Sequence, residues 1–352
     1  MSRILIVGAG AIGLFCALRL AKAGAKVVLL EAEPEDFTVH APTASLAAAG
    51  MLAPIGEAAG DANVNRLALA SFDSWRAMSK GALWEDGVRF GGGVIVAADA
   101  DAVRERAMGR SVIPLSAGQW RKRSGLEARV ENALFVEDEG VADPIRVLSG
   151  LAMDARRHGV QILFSHDVAS VSAHSATTYE GAVFEADAVL LAPGVWATDQ
   201  LIAAAPALGH VRPAKGHLVA VTLARPLGPN IRTPGFYLTR RMDDDVVLGA
   251  SMEFGRYDRQ VRPERVAALL AAAESLFPGE VRPRGQAWAG VRPMSPDGAP
   301  LIGRSGEVWI AAGHSRNGWL LAPITAEIIC AQLMGGEISP LWKCFSPDRF
   351  DP

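Results

Sequence analysis

The first part of the chain contains the feature that most constrains its fold. Residues 4–7 are a short apolar run typical of a β-strand, and residues 8–13 continue as Gly-Ala-Gly-Ala-Ile-Gly. A helical stretch reaches to about Ala23, a second apolar run occupies residues 27–30, and Glu31 follows it directly. Strand, G-x-G-x-x-G, helix, strand and acid is the order that a dinucleotide-binding βαβ unit requires.

The positions of this fingerprint have distinct physical roles. Gly8 allows a tight turn, Gly10 leaves space for a pyrophosphate beside the backbone, and Gly13 allows the helix and strand to pack closely. The N-terminus of the helix offers free N–H groups to the phosphates, and the carboxylate of Glu31 can accept both ribose hydroxyls. The predicted cofactor-binding residues of this unit are Gly8, Gly10, Ala11, Ile12, Gly13 and Glu31.

The apolar N-terminus could also be a signal peptide or the start of a transmembrane span. Residues 4–18 carry no charge and follow Arg3. The run ends at Arg19, however, contains three glycines, and leads into Lys22 and Lys26. A span needs about 20 apolar residues, and a signal peptide needs a small-residue cleavage site after its apolar core. We therefore interpret the segment as the βαβ unit.

Composition and charge narrow the class of protein. The chain has 352 residues, enough for two domains, and half of them are apolar. Its net charge of −3, without a Lys/Arg tract, predicts that neither nucleic acid nor an anionic membrane is a partner. The three cysteines form no C-x-x-C pair and the seven histidines show no metal-ligand spacing. These features predict no metal site and a reducing, cytoplasmic location, and they leave a homo-oligomer open.

The order of predicted elements indicates two domains. Helices and buried strands alternate up to about residue 210, whereas residues 211–290 alternate in polarity and contain several Pro and Gly turns, as antiparallel strands do. The prediction is an α/β fold, with a Rossmann-like cofactor domain assembled from separated segments and an inserted α+β substrate-binding domain on a mixed or antiparallel sheet. The predicted cofactor domain comprises residues 1–82, 140–210 and 291–352, and the substrate-binding domain comprises residues 83–139 and 211–290.

Two features leave alternatives open at this point. Only one dinucleotide fingerprint is present, which implies either a nicotinamide or a flavin whose electrons pass to oxygen or a protein acceptor. The small-residue segment 44–51 allows the backbone to approach a flat ligand, but it is equally typical of a helix packed tightly on a sheet.

Three motifs near the C-terminus are similar to the end of the flavin-dependent amino-acid oxidases of the D-amino-acid oxidase family. They are Trp-Ala-Gly-Val-Arg-Pro at 288–293, Asp-Gly-Ala-Pro-Leu-Ile-Gly at 297–303 and Ala-Ala-Gly-His-Ser-Arg-Asn-Gly at 311–318. Segments 43–54 and 320–323 resemble in particular the glycine oxidases of the thiamine pathway. The resemblance runs nearly end to end, and it implies FAD rather than NAD at the N-terminal site.

The resemblance also implies roles for individual residues. Arg292 is expected to bind the substrate carboxylate, Tyr237 to hydrogen-bond the same group, and Met252 to form an apolar wall. Arg316 is a further candidate catalytic residue and is expected to face the flavin pyrimidine. The implied cofactor contacts beyond the fingerprint are Ser45, Ala48, Gly50 and Met51 at the flavin ring, Val168 at the adenine side, and Gly194, Gly313, Arg316, Asn317 and Gly318.

These residue types suit the chemistry that the resemblance implies. A planar guanidinium binds a carboxylate bidentately, and a Tyr hydroxyl adds a directional donor. The implied reaction is oxidative deamination of glycine or another small D- or N-methyl amino acid. Hydride passes from Cα to flavin N5, and the resulting imine hydrolyses to an oxo acid and ammonia. Oxygen is the expected acceptor and hydrogen peroxide the expected product.

The sequence departs from the family pattern at a few positions. Ser315 stands where an aromatic residue is commoner, Trp319 replaces an aliphatic residue, and residues 237–240 lack the usual Val-Pro-Arg ending. Gly290 lies near the position where related sarcosine oxidases attach flavin through cysteine, so FAD is expected to be non-covalent. The alternatives are an amino-acid or hydroxyproline dehydrogenase with a quinone or protein acceptor, the flavin domain of an RNA-modification enzyme, and a plain NAD-dependent dehydrogenase.

Overall fold

A computed structural model describes residues 2–57, 61–96, 99–128 and 130–350. Within these ranges the strands are β1 Arg3–Val7, β2 Lys26–Leu30, β3 Met51–Leu52, β4 Val88–Arg89, β5 Gly93–Ile95, β6 Val112–Pro114, β7 Leu134–Val136, β8 Gly140–Ala142, β9 Gln161–Leu163, β10 Val168–Val171, β11 Ser175–Thr178, β12 Val183–Glu185, β13 Ala188–Leu191, β14 Arg212–Leu223, β15 Asn230–Arg232, β16 Tyr237–Arg240, β17 Val246–Gly249, β18 Glu253–Phe254, β19 Val281–Met294, β20 Leu301–Ser305 and β21 Val308–Ala312. The α-helices are α1 Ala11–Lys22, α2 Ala44–Ala47, α3 Ala62–Met78, α4 Ala100–Ala107, α5 Ala117–Ser124, α6 Pro144–Arg157, α7 Asp199–Ala204, α8 Pro263–Leu276 and α9 Gly318–Met334. Short 3-10 helices occupy Glu85–Gly87, Pro206–His210, Met242–Asp244, Pro340–Phe345 and Pro347–Phe350.

A six-stranded sheet in the order β20-β21-β13-β1-β2-β9 carries the fingerprint. All neighbouring strands in it are parallel except β20 and β21, and β1 lies between β13 and β2. Helices α1, α3 and α9 pack on one face, where Phe15 lies edge-on to Trp75 and Trp84. Helices cover this face of the sheet, and α7 with β10 covers the other. Because both faces are covered, the strands are buried and carry few charged residues.

A second, large sheet has the order β18-β14-β17-β16-β15-β5-β7-β6, with β19 also paired to β14. Its neighbours are antiparallel except β15 and β5. One face packs on α8 through side chains such as Val219, Leu248 and Phe277. The opposite face carries Leu218 and Val247, which pack against Ala47 beside the cavity described below. Two small antiparallel sheets, β10-β11-β12 and β3-β8-β4, complete the fold.

Local sequence signals account for several element boundaries. The carboxylate of Asp143 accepts the N–H groups of Ile145 and Arg146 at 3.1 Å each, and Pro144 occupies the first helical position, as the Asp-Pro pair predicts. The predicted α/β class with mixed and antiparallel sheets is confirmed.

The exact division into domains stays a prediction. The expected boundary between residues 290 and 291 lies inside β19, a strand of the large sheet. In the described ranges, none of the helices combines the length and the apolar character that crossing a membrane requires. The predicted cytoplasmic location also stays a prediction.

Candidate active site

One cavity of about 580 Å³ is lined by residues of both large sheets. The residues predicted from the sequence that line it are Gly8, Gly10, Ala11, Ile12, Glu31, Ser45, Ala48, Gly50, Met51, Val168, Gly194, Tyr237, Met252, Arg292, Gly313, Arg316 and Gly318. Two predicted residues do not line it. Gly13 lies buried in α1, and Asn317 is the N-cap residue of α9.

The fingerprint glycines are required by backbone geometry. Gly8 has φ +104°, and a Cβ there would lie 2.4 Å from the carbonyl oxygen of Ala192. A Cβ on Gly13 would lie 1.8 Å from the carbonyl oxygen of Gly8, so helix and strand approach as closely as the sequence predicts. Gly10 differs, because its φ of −69° is ordinary and its absent Cβ would meet Ser45 Oγ at 3.2 Å. The backbone geometry of the fold requires glycine at positions 8 and 13. At position 10 the backbone does not require glycine, because the nearest atom belongs to the side chain of Ser45.

Glu31 stabilises the loop that it follows. Its carboxylate accepts the Ala9 N–H at 2.7 Å and the Glu33 N–H at 3.2 Å. Burial raises the pKa of Glu31, and these backbone donors oppose that shift. The Ala11 N–H at the start of α1 is bound by the hydroxyl of Ser45 at 2.9 Å. Ser45 therefore lies beside the fingerprint, and its predicted contact with a flavin ring stays a prediction.

Three side chains hold the small-residue segment by its carbonyl groups. The indole N–H of Trp319 donates to Ser45 and that of Trp288 to Ala47, each at 2.9 Å. The guanidinium of Arg241 donates to the Ala48 carbonyl at 2.5 Å. Of the two alternatives for this segment, the structure shows a single helical turn, α2, followed by extended backbone along the cavity wall.

Arg292 and Tyr237 lie on the cavity face of the large sheet, where two glycines make room for them. A Cβ on Gly216 would lie 2.1 Å from Arg292 Nη1, and a Cβ on Gly249 would lie 2.5 Å from the Tyr237 hydroxyl oxygen. Gly249 is the direct cross-strand partner of both Tyr237 and Leu218. The two polar groups are thus laid flat across neighbouring strands, which a side chain at either glycine would prevent.

Electrostatics single out Arg292. In the described part of the chain no carboxylate lies within ion-pair distance of it, and its Nη1 donates to the Ser251 carbonyl at 3.4 Å. Burial lowers the pKa of Arg292, and burial raises the pKa of Tyr237 against the opposing charge of Arg292. A desolvated guanidinium beside a neutral phenol is suited to receive an anion.

A second group of charged side chains lies near Arg292, and the sequence predicted only one member of this group. Glu57 is 8% exposed and contacts two arginines, Arg232 through Nη2 and Arg316 at 3.4 Å. Arg232 Nη2 also lies 3.5 Å from the sulfur of Met51. Arg316 was predicted, whereas Arg232 and Glu57 were missed, because neither lies in a recognisable motif.

The remaining predicted residues occupy the edges of the cavity. Met252 is exposed at its mouth, and Gly313, with φ +65°, turns the chain from β21 toward α9. His314 is buried, its Nε2 lies 2.9 Å from Thr325 Oγ1, and burial lowers its pKa to about 3. The imidazole is therefore neutral and packed rather than placed to act as an acid or base.

The residues that line the cavity suit a dinucleotide. The N-terminus of α1 faces it at one end, the carboxylate of Glu31 borders the same end, and Val168 lies nearby on β10. The segment 44–51 and the start of α9 line the other part, next to Arg292 and Tyr237. A phosphate group would meet helix N–H groups, and a flat ring would meet small residues.

Comparison with known proteins identifies relatives along almost the whole chain. The bifunctional protein ThiO/ThiG of Synechocystis sp. is 31% identical over 370 residues, which cover 99% of this chain and 54% of that protein. The chain thus spans about half the length of that relative. A glycine oxidase of Bacillus licheniformis is 28% identical over 368 residues, covering 98% of this chain and 96% of that one. The crystal structure of glycine oxidase from Geobacillus kaustophilus has a TM-score of 0.85 at 27% identity, over 100% of both chains.

A family model completes the assignment. The model described as DAO, FAD dependent oxidoreductase, matches residues 3–332. The match includes the fingerprint and all the C-terminal motifs on which the predicted resemblance depends, so the predictions of the family, of FAD in place of NAD, and of an FAD-dependent oxidoreductase are confirmed. The chain belongs to the DAO family of FAD-dependent oxidoreductases.

Proposed function

We propose that this protein oxidises glycine or another small D- or N-methyl amino acid at its Cα–N bond. The products are an imine, which hydrolyses to the oxo acid and ammonia, and hydrogen peroxide formed from oxygen. The observation that carries the proposal is Arg292, a half-buried guanidinium without a carboxylate partner among the described residues, next to Tyr237 in the cofactor cavity. The glycine oxidase relatives support the same substrate class.

The chain's own residues act by binding and orienting the substrate. Arg292 binds the carboxylate with two parallel N–H groups, and Tyr237 donates to the same group. Bound FAD supplies a hydride acceptor for the Cα–H bond. A side-chain base is unnecessary when the amine binds unprotonated, which agrees with the neutral, packed state of His314 and the arginine partners of Glu57. Positioning therefore supplies much of the catalysis.

Other cavity residues complete the proposed site. The N-terminus of α9, with Arg316 and Gly318, lines the cavity, where it would hold the flavin pyrimidine and stabilise negative charge. Asn317 caps this helix, and Met252 forms the apolar wall of the substrate pocket. We also propose non-covalent FAD, because a Cβ on Gly290 would lie 2.5 Å from the Ala47 Cβ and leaves no room for a cysteine.

An anaerobic screen of amino acids tests this proposal directly. Glycine, sarcosine or a small D-amino acid should bleach the flavin absorbance, because hydride transfer needs no electron acceptor other than FAD. Air should then restore the absorbance within seconds and produce one peroxide for each substrate oxidised. Recovery over many minutes, or only with a quinone, would instead establish the dehydrogenase alternative. Failure of every amino acid to bleach the flavin would refute the proposal.

Replacing Tyr237 with phenylalanine should have a modest effect. The variant loses one hydrogen bond to the substrate, worth about 0.5–1.5 kcal/mol, or up to about 3 kcal/mol for a bond to a carboxylate. We expect kcat/KM to fall by about 2-fold to 160-fold, with unchanged FAD content. The ratio of flavin absorbance to protein measures that content. An unchanged kcat/KM would remove Tyr237 from the substrate site.

The roles of the individual site residues, the absence of metal and of nucleic acid partners, and the cytoplasmic location remain predictions from the sequence, which leaves a homo-oligomer open.

A further inference from the structure

Arg232 lies in the same row of side chains as the proposed carboxylate site. On the cavity face of the large sheet, Arg232 is the direct cross-strand partner of Tyr237, and Tyr237 is the partner of Gly249. The Arg232 guanidinium carbon lies 5.8 Å from the centre of the Tyr237 ring. Since partners on adjacent strands share a face, Tyr237 separates two arginines, Arg232 on one side and Arg292 over Gly216 on the other.

The two arginines differ in how they are held. Arg232 is 16% exposed, and its Nη2 contacts the Glu57 carboxylate and the Met51 sulfur. This pairing fixes the guanidinium at the cavity wall, where Arg232 is one of the lining residues. Glu57 engages Arg316 as well, at 3.4 Å. One carboxylate is therefore shared between two arginines.

The charged side chains on either side of Tyr237 carry an excess of positive charge. Arg232, Arg316 and Glu57 together carry one net positive charge, and Arg292 adds a second. Glu139, a buried carboxyl beside Arg232, accepts the Gly56 N–H at 2.7 Å, and burial raises its pKa to about 8, so it is mainly uncharged at neutral pH. The α-carboxylate of a simple amino acid neutralises only one of the two positive charges. Arg316 is 47% exposed, so water screens much of its charge, whereas the less exposed Arg232 and Arg292 gain most from an anionic ligand.

We propose that Arg232, positioned by Glu57, binds a second acidic group of the substrate, so that the preferred substrate is a small amino acid with two carboxylates. The second carboxylate can stand on the side chain or on the amine nitrogen, since both carry it past Tyr237 toward Arg232. This inference rests on the proposed function, because it assumes that Arg292 binds the α-carboxylate.

Binding without turnover gives the first test. Succinate and glutarate carry two carboxylates but no amine, so they can occupy the site without being oxidised. Titration of the oxidised holoenzyme, followed by the flavin spectrum, should give dissociation constants about 10-fold to 100-fold lower than those of the matching monoamides, the range for one hydrogen bond between charged groups. In Arg232→Met this ratio should fall to near one, and Arg232→Lys should retain part of it.

Turnover distinguishes the two positions of the second carboxylate. The kcat/KM of D-aspartate is compared with that of D-asparagine, D-glutamate with D-glutamine, and iminodiacetate with its monoamide. Whichever acid exceeds its amide by about 10-fold or more identifies the position. Arg225→Met is the matched control, because Arg225 also pairs with a carboxylate, Glu127, but lies 62% exposed and outside the cavity. It should leave every acid-to-amide ratio unchanged.

The outcomes separate this inference from the proposed function. Acid-to-amide ratios near one in the wild type, with glycine or sarcosine bleaching the flavin, would overturn the role of Arg232 and leave the proposed function standing. A ratio that persists in both Arg232 variants would also overturn it. Failure of every amino acid to bleach the flavin would refute the proposed function, and the succinate titration would still decide whether Arg232 binds an anion. Loss of the ratio in Arg232→Met, with part of it retained in Arg232→Lys and all of it in Arg225→Met, supports the inference.

Discussion

Replacing Arg292 with alanine should lower kcat/KM for the best amino-acid substrate by about 30-fold to 5,000-fold. The substrate carboxylate is left unpaired in a desolvated pocket, a loss of about 2–5 kcal/mol, and each 1.36 kcal/mol corresponds to about one decade in rate. Arg292→Lys should recover only part of the loss, because an ammonium group cannot make the two-pronged contact. Initial rates of peroxide formation or of anaerobic flavin reduction measure the effect.

Thermal stability provides the control for this prediction. Arg292 has no carboxylate partner among the described residues, and burial lowers its pKa, so the free protein bears a cost for keeping it charged. Removing it should leave the melting temperature unchanged or slightly higher, and FAD content should stay normal. Activity and stability thus change in different directions, as expected of a binding residue rather than a structural one.

Gly216→Ala tests the same guanidinium without removing it. The new Cβ would lie 2.1 Å from Arg292 Nη1, so the guanidinium must move and kcat/KM should fall although Arg292 is present. Gly235→Ala is the matched control, since position 235 also lines the cavity and has no atom within 4 Å of a new Cβ. If Arg292→Ala retains near wild-type efficiency, the carboxylate assignment is wrong and the substrate is an amine without a carboxylate.

The sequence predicts what depends on neighbours along the chain. The N-terminal βαβ unit with Glu31 is identified because strand, glycine turn, helix and acid follow one another within a short segment. The helix after Asp143 is predicted for the same reason, since cap and first turn are adjacent. Arg292 and Arg316 are identified through motifs rather than through periodicity, which cannot tell a binding arginine from a solvated one.

Contacts between distant segments lie beyond such reasoning. Glu57 and Arg232 meet across 175 positions of sequence, and nothing local marks either residue. Gly216 and Gly249 interrupt strand patterns, which is a signal of close approach, but the group that approaches depends on strand pairing. The pairing of β14 with β19 places Gly216 opposite Gly290 and beside Arg292. The strand register therefore brings together the residues of the site, and the role of each of them cannot be recognised from its local sequence alone.

Gly10→Val should abolish FAD binding and leave the fold intact. Among the fingerprint glycines, Gly10 alone combines an ordinary φ of −69° with a Cβ position that meets only side-chain atoms, Ser45 Oγ at 3.2 Å and Thr43 Oγ1 at 3.6 Å. A small shift of the Ser45 side chain accommodates the new Cβ, whereas a branched side chain fills the space expected for the pyrophosphate. Purified Gly10→Val should be colourless, with a dissociation constant for FAD raised by at least about 100-fold (about 2.7 kcal/mol).

Comparison with two other glycines makes this result specific. Gly13→Val should fail to fold, because its Cβ would lie 1.8 Å from the Gly8 carbonyl oxygen, whereas Gly118→Val on the exposed start of α5 should bind FAD normally. A ligand that binds only the folded state raises the melting temperature. Excess FAD should therefore stabilise the wild type and Gly118→Val but not Gly10→Val. Full flavin occupancy in Gly10→Val would show that the pyrophosphate does not pass in front of Gly10, and the N-terminus of α1 would lose its assigned role.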